Sequence, residues 1–166
     1  MFKHSLLFVV LFSSLCGSAF SEFKEVDGNY AFEKIFSGTS LIKAKFKIVS
    51  AGVESTYSDK PQLYLYPIAG SFDGLPHLVR EGNALAVVEI YVRNSVEVVS
   101  KLLPPSYLAE FSSGVLKIVE GTATIKIGKY LATYECDKPL YIASIINVDN
   151  IADLNSSKKV NVKENC

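Results

Sequence analysis

Residues 114–148 read GVLKIVEGTATIKIGKYLATYECDKPLYIASIINV, and the fold turns on how this stretch is parsed. Residues 115–119 are apolar enough for a strand, and Glu120-Gly121 reads as a turn. From 122 to 127, Thr122, Thr124 and Lys126 alternate with Ala123, Ile125 and Ile127, the period-two signature of a strand with one wet face. Gly128-Lys129 has the glycine-first form of a tight hairpin turn, after which residues 130–135 return. Asp137-Lys138-Pro139 turns again, and residues 140–148 form a long apolar strand. The pattern predicts an antiparallel meander.

Upstream the same logic applies. In 41–49, Ile42, Ala44, Phe46 and Ile48 point one way and Lys43, Lys45 and Lys47 the other, as in a half-buried strand. The lysines keep a sheet face wet; a basic binding stripe is the sharper alternative. In 62–66, leucines and tyrosines alternate until Pro67 stops the strand. Residues 84–92 are apolar almost throughout, which predicts a central strand covered on both faces. Residues 94–103 fit either a helix capped at Ser95, with Val96, Val99 and Leu103 on one face, or a valine-rich strand. Pro104-Pro105 ends that segment, and residues 106–111 suit one or two helical turns with Pro105 near their start. Seven or so strands with little helix predict a mostly β fold, an antiparallel β-sandwich or partly open barrel with one or two short helices.

The N-terminus is a processing signal rather than part of this fold. Lys3 and His4 precede an apolar run, Leu6 to Phe12, too short for the about 20 apolar residues a spanning helix needs. Ala19 and Ser21 place small side chains at −3 and −1, so cleavage is expected after Ser21. An uncleaved anchor is the competing reading, and lipidation at Cys16 is disfavoured by Leu15 before it. Residues 1–21 are thus a signal peptide and 22–166 one β-rich domain, secreted or periplasmic. About 145 residues can bury a core without needing a disulfide. No second long apolar run follows, so the mature chain is not expected to insert in a membrane.

Seventeen basic and seventeen acidic residues leave no net charge, which argues against nucleic acid as a partner because that requires a concentrated basic face. Cys136 and Cys166 are the cysteines left after processing, and in an oxidising compartment they predict a structural bridge tethering the C-terminal tail. The polar tail, 155–165, adds at most a short edge strand at 160–162 near Cys166.

Catalytic groups are sparse. His77 is the only histidine beyond the signal, and there is no nucleophile elbow, phosphate loop or His-Glu-x-x-His. Asp149 and Asp153 read as solvated tail rather than calcium ligands, so no metal or cofactor is expected. The long segment 67–82, PIAGSFDGLPHLVREG, carries the candidate contact residues Phe72, Asp73, His77 and Arg80. In the simpler reading it folds over the end of the sandwich, with Phe72 and Leu75 plugging the core. Tyr64 and Tyr66 share one strand face and are suited to anchor a protein or carbohydrate, although tyrosine is also a favoured strand residue. These features point to a small exported, non-enzymatic binding module, an inhibitor or adaptor whose partner is another exported protein or a glycan. The alternatives are a hydrolase using His77 or paired carboxylates, and a structural subunit of an envelope assembly.

Overall fold

A computed structural model describes residues 23–26, 33–51, 60–68 and 70–158. The expected signal peptide, the 160–162 edge strand and Cys166 lie outside these residues. The elements are β1 (Lys24–Val26), β2 (Lys34–Val49), β3 (Gln62–Pro67), β4 (Val79–Arg80), β5 (Asn83–Ala84) and β6 (Ile90–Val92). The helices α1 (Ser95–Leu102) and α2 (Pro105–Ser112) follow, then β7 (Ile118–Glu135) and β8 (Lys138–Ser157).

The fold is mostly β, as the periodicity predicts. Its ladders run round a ring: β2 pairs with β3, β3 with β6, β6 with β8, β8 with β7, and β7 with β2. One contact departs from the antiparallel expectation, because β6 runs parallel to β8. The wall is held most sparsely at β6, which pairs only through Tyr64↔Tyr91 and Leu65↔Ile90 on one side and Tyr91↔Ile142 and Val92↔Ala143 on the other. This is the partly open barrel, not the sandwich. The two helices stand between the third and fourth strands of this ring.

β7 and β8 depart most from the sequence reading. The expected turns at Glu120-Gly121 and Gly128-Lys129 do not occur; both pairs lie inside one continuous strand, β7. The glycines serve close approach instead. A Cβ on Gly121 would stand 2.6 Å from Cζ of Phe46, and one on Gly128 would stand 2.8 Å from Cδ1 of Ile146. The actual reversal is at Cys136 and Asp137, with φ of 48° and 59°, between the paired residues Glu135 and Lys138. Two central residues with positive φ are what a two-residue hairpin of matching twist requires. Residues 149–157, expected as solvated tail, continue β8. Its extra residues fall at three bulges, between Asn155 and Ala152, between Ala152 and Asp149, and between Asn147 and Ile145. Asp153 and Asn150 take the first two with φ of 53° each, and Thr122 donates a 2.8 Å hydrogen bond to Asp153 Oδ2. The bulges bend the hairpin and let β7 pair with β2 on its other edge.

Alternation on β2 is as expected: Ile42, Ala44, Phe46 and Ile48 are at most 1% exposed, and Lys43 and Lys45 face out. Ser40 Oγ is buried among these residues without a hydrogen-bond partner. The 84–92 segment is not a central strand. Only Ile90–Val92 joins the barrel, Asn83–Ala84 pairs with Val79–Arg80 in a separate hairpin, and Val88 is exposed. Residues 95–102 resolve as helix, because Val98, Val99 and Leu102 can then bury over the barrel end. Val96 faces out, and Ser95 bonds the Pro61 carbonyl rather than capping the helix. Pro105 opens α2, where its missing N–H costs nothing.

Candidate functional site

The 67–82 segment closes the barrel end away from the helices. Phe72, Leu75 and Leu78 are at most 4% exposed and belong to the core, so Phe72 is a plug residue and not a contact residue. Two buried tyrosines hold the segment. Tyr130 donates to the Pro76 carbonyl at 3.0 Å and Tyr141 to the Leu85 carbonyl at 2.7 Å. The Leu78 N–H in turn donates to the Tyr141 hydroxyl. The two rings stack with centroids 6.2 Å apart. Burial, reinforced by Tyr141, pushes the Tyr130 hydroxyl far above the usual phenol range. Burial also raises Tyr141, against the lowering effect of the Leu78 N–H. Ionising either would place a charge in the plug.

Asp73, His77 and Arg80 lie on the outer side of the same segment and are exposed. Among the described residues no hydrogen bond or ion pair joins them, and no cluster of histidine, cysteine, aspartate or glutamate is built for a metal. The segment therefore presents three separate side chains over a plug.

A more coherent surface lies on the outer face of β2, β3 and β6. Tyr64 and Tyr66 alternate with the fully buried Leu63 and Leu65, so both rings emerge on that face, half-exposed. Tyr91 joins them from β6, directly opposite Tyr64, and the two rings meet edge to face with centroids 5.7 Å apart. Register places Lys47 beside Tyr64 and Lys45 beside Tyr66. The Lys47 ammonium sits 5.9 Å from the Tyr64 ring centre, within cation–π reach. Lys45 pairs with Glu120 at 3.2 Å, and Tyr64 donates a 2.6 Å hydrogen bond to Gln62. These contacts restrain the rings before any ligand arrives, which lowers the ordering cost of binding.

Tyr91 is the residue sequence reasoning missed. The run 84–92 reads as buried on both faces, and the Ile-Tyr-Val alternation at its end is too short to be noticed alone. Cys136 sits at the tip of the β7–β8 hairpin, while the expected bridge falls on Cys166, outside the described residues. No helix among the described residues is long and apolar enough to cross a membrane. Comparison with protein-family models, with curated proteins and with solved structures finds no match to this chain.

Proposed function

We propose that this is an exported, non-enzymatic binding module whose ligand is a glycan, held on the outer face of β2, β3 and β6. The observation that carries the reading is the grouping of Tyr64, Tyr66 and Tyr91 beside Lys45 and Lys47 on one wall of the barrel. Tyrosine rings offer flat area with a hydroxyl at the rim, which suits stacking on a sugar face with hydrogen bonds at its edge. A protein partner is the weaker fit, since protein interface cores are depleted in lysine and glutamate. Nucleic acid fits less well again, because Glu120 neutralises Lys45 on this face and the chain carries no net charge. The expected Cys136–Cys166 bridge and the export signal belong to this reading as proposals of the same standing.

The test is titration of residues 22–166 with neutral and acidic oligosaccharides, read by tyrosine fluorescence and calorimetry. Saturable quenching that Tyr64→Ala and Tyr91→Ala each weaken about tenfold, with unfolding midpoints nearly unchanged, is the expected result. Binding of a purified protein partner with no response to any glycan would overturn it.

A further inference from the structure

The three lysines of β2 are not equivalent on the outer face. Lys45 is matched by Glu120, and Lys47 lies over the Tyr64 ring. Lys43 is exposed, and among the described residues its ammonium has neither a carboxylate nor a hydrogen-bond partner. The register sets Lys43 opposite Thr124 and the next outward residue of β2, Leu41, opposite Lys126. Lys126 is exposed and equally unmatched among the described residues, and it is the diagonal neighbour of Lys43, a separation within reach of long side chains. Thr124 shares their face half-buried, and its hydroxyl makes no hydrogen bond among the described residues. Across Thr124 on β8 stands Asp149, which accepts from the Asn147 amide at 2.8 Å rather than pairing with Lys126. The Ser71 hydroxyl donates to the Lys43 carbonyl and so ties this part of β2 to the plug segment.

Two neighbouring ammonium groups repel one another, and an anion lying between them is attracted by both. Thr124 offers that anion a hydroxyl donor as well. Lys43 also stands two residues along β2 from Lys45, which faces Tyr66, so the cation pair begins about 7 Å along the strand from the tyrosines. A chain of sugars stacked on Tyr64 and Tyr66 therefore runs on over Lys43 and Lys126. We infer that the glycan taken by this face is acidic, with a carboxylate or sulfate of one sugar unit held between Lys43 and Lys126 and a neighbouring unit on Tyr66. The inference rests on the reading of the tyrosine face as a glycan site, and it adds the charge of the ligand and the residues that read it. A single-stranded nucleic acid is the poorer occupant. It carries a charge at every step, whereas the unmatched cations are confined to one end of the face and Glu120 stands opposite Lys47 at the other.

Calorimetry on residues 22–166 with oligosaccharides of equal length tests it. Tetragalacturonate presents carboxylates, a κ-carrageenan tetrasaccharide presents sulfates, and cellotetraose and maltotetraose are neutral. An exposed ion pair changes affinity by about threefold, so with two lysines the better acid should bind about tenfold more tightly than the neutral sugars. The excess should fall away in about 0.5 M salt, which screens exposed charges within a few ångströms. Lys43→Gln and Lys126→Gln should each cut the acidic-to-neutral ratio about threefold and together bring it near one. Lys101→Gln, the same loss of charge on the exposed side of α1, should leave the ratio where it is, and Asp149→Asn should raise it. Equal binding of acidic and neutral glycans would overturn this inference while leaving the tyrosine face a glycan site, whereas no binding of any glycan would overturn both. A preference that Lys101→Gln lowers as much as Lys43→Gln would belong to overall charge and overturn the site. A single-stranded oligonucleotide that binds more tightly than either acid through the same two lysines would overturn the occupant.

Discussion

Substituting Gly121 by alanine isolates the physical role of the glycines in β7. A hairpin glycine is required for its φ, whereas Gly121 has no positive φ and is constrained by what faces it. A methyl group there would stand 2.6 Å from Cζ and 2.9 Å from Cε1 of Phe46, and 3.0 Å from the Ala152 carbonyl oxygen. Phe46 is 0% exposed and cannot swing aside without displacing the core, and the carbonyl is backbone. Overpacking of this kind costs about 1–3 kcal/mol, offset by about 0.4–1 kcal/mol from the stiffer unfolded chain. The expected net loss is about 1–2 kcal/mol, a fall of roughly 3–6 °C in Tm for a chain of this size. Gly128→Ala provides the contrast. Its nearest neighbour is the flexible tip of Ile146, itself 48% exposed, and the Gly38 carbonyl oxygen stands at 3.3 Å, so it should cost less than Gly121→Ala, about 1 kcal/mol or under. Phe46→Leu should relieve the clash, so the double variant with Gly121→Ala should be more stable than the sum of the singles by about 1 kcal/mol. Urea unfolding followed by far-ultraviolet circular dichroism and tyrosine fluorescence measures all four, there being no tryptophan to confuse the signal. A Gly121→Ala protein as stable as the parent, or strict additivity with Phe46→Leu, would refute the reasoning.

Alkaline stability should follow from the buried tyrosines. Because Tyr130 is held neutral in the folded state, its contribution is fully present below the ordinary phenol value near pH 10 and is lost as pH rises above it. Stability should therefore fall by up to about 1.4 kcal/mol per pH unit for this group, and Tyr130→Phe should flatten that slope. Tyr141→Phe should cost about 1–3 kcal/mol, because it strands the Leu85 carbonyl and the Leu78 N–H, and amide exchange should quicken in 72–85 before the rest of the barrel. Ser40→Ala removes a buried hydroxyl with no partner, so chemical denaturation should find it unchanged or up to about 1 kcal/mol more stable; a clear loss would mean the hydroxyl is satisfied.

Local chemistry alone is sufficient where a residue's role depends on its near neighbours. The alternation of 42–46 and of 62–66 places these side chains on the correct face, because a strand side chain's direction depends on its parity. Pro105 likewise marks the start of α2 through its own fixed φ. Leu75 is legible as a plug from its apolarity, whereas Phe72 reads as plug or contact residue until its burial decides.

Tertiary structure decides what depends on distant groups. Gly121 and Gly128 look like turn residues in isolation; only the arrival of Phe46 and Ile146 makes them strand residues. Residues 95–102 are helical because burial of Val98, Val99 and Leu102 over the barrel outweighs the strand preference of valine. Tyr91 reaches the tyrosine face only because β6 pairs with β3 in one register, and Ser50 meets Lys117 across 67 positions of chain through a backbone hydrogen bond. Parity and steric shape are written into each segment of the sequence; pairing register and close approach are properties of two segments at once, and they exist only when the barrel has formed.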